Sequence, residues 1–161
     1  VFMLGIPLFG VVYAPDSGLD KGLLIETEYW NTFEWLNSSG EPDAVVLASP
    51  NVSLWIPAYT SEVVVYGHPF ETVPNDERLK QVEDFYRGLD CQTLLSDQLP
   101  FEVRYIMWGP QEERSAQTGD DNVTYPDAGK CITDIPLDRI EQKVEKGEGE
   151  RKVTTYVIRQ P

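Results

Sequence analysis

The chain has 161 residues, 41% hydrophobic and 25% charged, with 27 acidic against 13 basic side chains and a net charge of −14. That length supports one domain with a real core, and that composition argues against disorder. Residues 26–110 hold 14 acids and four bases, and no Lys or Arg falls between Lys21 and Arg78. Nucleic acid and anionic membrane surfaces need clustered basic residues, so no nucleic-acid partner is expected. The charge suits solubility, or a neutral or cationic ligand.

Residues 1–13 (VFMLGIPLFGVVY) are almost wholly apolar. They are too few to span a bilayer, which needs about 20 residues. They also lack the basic start and cleavage site of a signal peptide. Two readings stand: the outer end of a transmembrane helix, or a buried packing segment. If the chain leaves a membrane here, the lack of Lys and Arg in the following APDSGLDKG apart from Lys21 puts it on the outer side. Residues 1–20 are therefore an apolar lead, and 21–161 form one domain.

Residues 27–37 predict a helix, with Thr27 as cap and Trp30, Phe33 and Leu36 facing a core. A turn at Glu41-Pro42-Asp43 leads into a strand at 44–48, and a second strand follows at 63–66. Both runs are nearly all apolar, the pattern of strands buried on both faces. Between them, a short helix carries Leu54, Trp55 and Ile56, limited by Pro57. Strand, short crossover and strand predict a parallel pair. Pro74-Asn75-Asp76 opens a helix over 77–87 that Gly88 ends. Another helical turn follows at 93–99 and a third strand at 101–108. Residues 111–127 are polar and turn-rich, which predicts an excursion loop over about 111–130. Residues 140–145 and 152–159 flank Lys146-Gly147-Glu148-Gly149 as a hairpin. In its second arm Val153, Thr155 and Val157 face one way, and Thr154, Tyr156 and Ile158 the other. The predicted class is α/β: a small, three-layer-like domain with a mainly parallel sheet, flanking helices and a C-terminal antiparallel hairpin.

Chemistry has few candidates. His68, the only histidine, follows the second strand, and ligand crevices of open α/β sheets lie beyond strand carboxyl ends. Glu71 is placed to orient it for acid–base work. Ser49, after the first strand, is the one candidate nucleophile at an equivalent edge, but no GxSxG surrounds it. There is no GxGxxG and no GxxxxGK[ST], so no nucleotide cofactor is expected. Asp120, Asp121, Asn122 and Asp127 miss the spacing of a calcium loop, and neither CxxC nor a Cys/His cluster occurs, so no metal is expected. Cys91 and Cys131 would be free thiols in a reducing compartment or one bridge in an oxidising one. Among the aromatic residues, Trp55 and Tyr59 are the candidates for sugar stacking, because Pro50 and Pro57 keep their segment irregular and near the strand ends. The other aromatics fit core positions.

The runs DAVVLASP at 43–50, IPAY at 56–59, VVVYGHPFET at 63–72 and VEDFY at 82–86 resemble the extracytoplasmic C-terminal region of polytopic bacterial membrane proteins. Those proteins are relatives of the GT-C, dolichyl-phosphate-mannose mannosyltransferase-like glycosyltransferases. Trp35-Leu36 before the first strand, Trp108-Gly109-Pro110 after the third and the closing run at 153–158 extend the likeness. The resemblance covers 27–112 best, and the polar stretch at 111–130 and the charged hairpin depart from it. It implies a membrane-anchored domain on the extracytoplasmic side, attached to its own membrane domain and assisting acceptor or glycan binding, with a glycan or lipid-linked sugar as partner. The catalytic acid of such enzymes lies in the membrane domain, so no catalytic residue is implied here. The alternatives are a free-standing hydrolase using His68 and Glu71, and a purely structural or interaction domain.

Overall fold

The computed structural model describes residues 25–67, 74–96, 99–117 and 125–159. A five-stranded mixed sheet runs through it in the order β2-β1-β3-β5-β4. The strands are β1 (Val45–Leu47), β2 (Val63–Val64), β3 (Val103–Trp108), β4 (Ile140–Lys146) and β5 (Val153–Ile158). β2, β1 and β3 are parallel, while β5 lies antiparallel between β3 and β4. The α/β class, the parallel core and the C-terminal hairpin are thus those that the sequence predicts.

Alternation along the strands builds the layers. In β1, Val46 and Leu47 point to opposite faces and enter different apolar clusters. On the Val46 side lie α1 (Thr27–Ser39), α2 (Pro50–Ser53) and α3 (Ile56–Tyr59). On the Leu47 side lie α4 (Asn75–Tyr86), α5 (Pro110–Gln117) and α6 (Lys130–Thr133). β5 follows the same rule: Val153 and Val157 join the first cluster, and Tyr156 and Ile158 the second. α1 buries Tyr29, Phe33 and Leu36, spaced to share one face. α4 buries Val82, Phe85 and Tyr86. It stops at Gly88, whose φ of +77° favours glycine. The Gly88 amide donates to Phe85 O at 3.1 Å and the Leu89 amide to Asp84 O at 2.8 Å, closing a Schellman end.

Cys91 and Cys131 form a disulfide with Cα atoms 4.9 Å apart. It ties the segment after α4 to α6 across a sequence separation of 40. Closing a loop of that length stabilises by about 4 kcal/mol on the chain-entropy model.

Several local expectations are corrected. Residues 111–117, expected within the excursion loop, belong to helix α5. Pro110 follows Gly109 at the helix start, where proline costs no hydrogen bond, and Glu112 and Glu113 sit in the first turn, where the dipole favours them. Residues 118–124 of that stretch lie outside the described residues. Thr27 does not cap α1; Glu26 precedes the helix and Thr27 is its first residue. Pro57 does not end the crossover helix but sits in the first turn of α3. β2 is shorter than expected and stands at the sheet edge, so Val63 is 45% exposed rather than buried on both faces. The apolar lead at 1–20 lies outside the described residues; within them, no helix is long and apolar enough to cross a membrane.

Candidate functional site

The order β2-β1-β3 makes the gap between the carboxyl ends of β1 and β3 the switch point of the parallel sheet, where such folds place ligands. Here the chain fills that gap itself. Ser49 follows β1 and Glu112 lies in the first turn after β3; both are fully buried. Glu112 Oε1 accepts from the Ser49 amide at 3.0 Å and from Ser49 Oγ at 2.7 Å. Glu112 Oε2 accepts from the Tyr29 hydroxyl at 2.5 Å, and the Tyr29 oxygen accepts the Gln111 amide at 3.0 Å. The last bond satisfies an amide that the helix start would otherwise leave orphaned. Gly109 lets Tyr29 in: a Cβ there would stand 2.7 Å from the Tyr29 hydroxyl and 2.9 Å from Val153 Cγ2.

From the other face, the Tyr86 hydroxyl reaches Leu47 O at 3.0 Å and Met107 O at 2.9 Å, bridging the ends of β1 and β3. Burial raises the Glu112 carboxyl, opposed by its hydrogen bonds from Tyr29 and Ser49. Burial, then the charge of Glu112, pushes both the Tyr29 and the Tyr86 phenols far above their ordinary value. A carboxylate of the chain therefore occupies the place at the start of α5 where an anionic ligand would otherwise sit. Ser49 has both donors committed to Glu112 and no exposed surface, an arrangement that cannot present it as a nucleophile.

The second assembly is aromatic and partly open. Trp30 of α1 packs edge-on against Tyr59 of α3 with centroids 4.5 Å apart, and against Trp55 at 5.8 Å. Trp55 and Tyr59 lie 6.1 Å apart with planes only 27° from parallel. Asn37 of α1 fixes this face by donating from Nδ2 to Tyr59 O at 2.5 Å. Tyr59 is 48% exposed and Leu54, between α2 and α3, 40%, while Trp30 and Trp55 are half-buried. The ring surface left to solvent can take the apolar side of a ring-shaped ligand.

The structure thus brings Trp55 and Tyr59 together, adds Trp30, and gives Ser49 to a different set of contacts. His68 and Glu71 lie outside the described residues. Residues missed in the sequence are Glu112 and Tyr29; the Gly109-Pro110 start followed by two acids was the signal for the helix that carries Glu112. Among the described residues, no group of three or more His, Cys, Asp or Glu is placed to hold a metal ion. The fold and these two assemblies define a small α/β domain whose sheet edge is closed and whose aromatic face is open. No family model, curated protein or solved structure matches the chain.

Proposed function

We propose that this is a non-catalytic, glycan-binding domain on the extracytoplasmic side of a membrane glycosyltransferase-like protein, and that it assists acceptor binding through Trp30, Trp55 and Tyr59. The observation that carries the reading is the half-exposed aromatic face, held in place by Asn37. A sugar ring offers axial C–H groups on one side, and the solvent-exposed part of Tyr59, with the half-buried Trp55 stacked against it, supplies an apolar surface for them. The Cys91–Cys131 bridge supports an oxidising, extracytoplasmic setting. The sequence resemblance to GT-C outer domains supports the attachment to a membrane domain. The closed β1–β3 edge supports a role without chemistry at that edge, since among the described residues its serine and glutamate are both fully buried.

The test is titration of the purified domain with oligosaccharides and lipid-linked sugars, followed by tryptophan fluorescence. Saturable quenching that Trp55→Ala and Tyr59→Ala each weaken at least about tenfold is expected, the loss of roughly 1.4 kcal/mol. Unchanged affinity in both variants would remove the aromatic face from the account. A second reading, an interaction domain, is favoured by two exposed apolar side chains, Leu54 between α2 and α3 and Val63 on β2. It predicts a protein partner that protects those residues and no response to any sugar.

A further inference from the structure

The two ends of the sheet are finished differently. β2 closes one end with only two residues. β4 closes the other with seven, Ile140–Lys146, and among the described residues nothing pairs with its outer side. An edge of that length presents a row of amides and carbonyls to any other strand, and proteins blunt such edges with proline, bulges or charge. β4 has no proline. Its register shifts between Ile140 and Gln142, which leaves 142–146 as the regular stretch along β5. Charge is therefore the remaining guard, and along this stretch it is of mixed sign. Lys143 and Glu145 share one face of the strand, while Gln142, Val144 and Lys146 share the other. Lys143 and Glu145 are exposed, and Val144 is half-buried.

Antiparallel pairing opposes residues whose backbone groups point the same way, so two copies of one edge meet about a twofold axis that passes through a residue. An axis through Lys143, Glu145 or Lys146 sets a charge against its own copy. An axis through Gln142 or any earlier residue carries the irregular register into the new pairing. An axis through Val144 uses the whole regular stretch. Lys143 then faces Glu145 of the second copy, twice over by symmetry, and Val144 meets Val144. Opposite charges set directly across an antiparallel pair stabilise it, and like charges do the reverse. We propose that the chain forms a symmetric dimer by antiparallel pairing of β4 with β4 about Val144, joining two sheets into one. Within one copy the charges have only exposed partners: Glu145 meets Lys152 at 2.9 Å, and Lys143 lies over the Tyr156 ring at 4.8 Å. Such contacts are weak and leave both groups free to pair across the edge. A five-residue edge buries less than the about 1,200 Å² of stable complexes, and the net charge of −14 on each copy opposes association. The dimer is therefore a weak one, with a dissociation constant of about 100 µM.

The test is sedimentation equilibrium of the full 161-residue chain from about 5 to about 500 µM, at about 0.15 M NaCl to screen the net charge. The wild type should pass from monomer to dimer across that range. Lys143→Glu and Glu145→Lys each turn both cross-strand pairs repulsive, and each should weaken self-association at least about tenfold. An equal mixture of the two variants restores every pair, since two acids on one copy then face two lysines on the other, and it should associate as the wild type does. The double variant Lys143→Glu/Glu145→Lys keeps the net charge of −14 and should also dimerise. Amide hydrogen exchange gives a second readout: alternate amides of 142–146, those turned away from β5, should gain protection as concentration rises. A wild type that stays monomeric throughout would overturn the proposal. So would a dimer that neither single reversal weakens, which would use another face, or single variants that weaken while neither the mixture nor the double variant recovers.

Discussion

The carboxyl edge of β1 and β3 and the aromatic face of α1 and α3 differ in what their polar and apolar groups have left to offer. At the edge, every donor aimed at Glu112 has been met: the Ser49 amide, Ser49 Oγ and the Tyr29 hydroxyl. At the face, Trp30, Trp55 and Tyr59 touch one another but leave ring surface to solvent. The edge holds the chemically suggestive residues, a serine and a glutamate in contact, and is the place where ligands usually bind in this kind of sheet. Yet its contacts are complete. Saturated hydrogen bonding in a buried cluster stabilises a fold, and unsaturated surface is what a ligand needs.

The largest expected effect is on the closed edge. Glu112→Ala leaves three buried donors without an acceptor, and at about 1–3 kcal/mol for each unpaired group the loss should be at least about 3 kcal/mol by urea unfolding. Sugar affinity at subdenaturing temperature should hardly move. Tyr29→Phe should cost less, about 2 kcal/mol, because it strands the Gln111 amide and one carboxylate oxygen while Ser49 stays bonded.

A smaller effect should appear in the pH dependence. Burial holds the Glu112 carboxyl above its ordinary value, so the folded chain binds that proton more tightly than the unfolded chain. Stability from this group is then fully present below the unfolded carboxyl value, about pH 4.3, and is lost as pH rises through the raised folded value. Glu112→Gln should remove that part of the slope, which paired urea melts from pH 4 to pH 8 would reveal. An unchanged slope would mean that Glu112 titrates alike in both states.

The smallest stability effect belongs to the open face. Tyr59→Ala, at a half-exposed ring, should cost about 1 kcal/mol or less in the same unfolding assay. That ordering is the inverse of the one expected for sugar binding, where the face should matter and the edge should not.

Much of the fold was legible because it is written in local patterns. Two β-branched runs marked β1 and β2, the alternation in 153–158 marked β5, and Gly88 marked the end of α4. Helix α5 was not legible from hydrophobic periodicity, because PQEERSAQ carries little apolar surface and sends only Glu112 and Ala116 fully inward. Glu112 itself reads as a solvated acid in a first helical turn. What buries it is Tyr29, 83 residues earlier in the chain, admitted by the missing side chain of Gly109. Such a long-range contact leaves no local trace. For the aromatic face, Trp55 and Tyr59 stood out because prolines flank them, whereas Trp30 reads as a core position of α1 and joins them only through the packing of α1 on α3.

The most direct measurement is an NMR titration of the four indole N–H signals with glycans and lipid-linked sugars. Trp30 and Trp55 lie on the open face; Trp35 packs against Tyr105, and Trp108 stacks on Tyr86 beside the closed edge. Saturable shifts of Trp30 and Trp55, with Trp35 and Trp108 unmoved, are the result expected. Shifts confined to Trp108, or no shift of any indole across the series, would contradict glycan binding at this face.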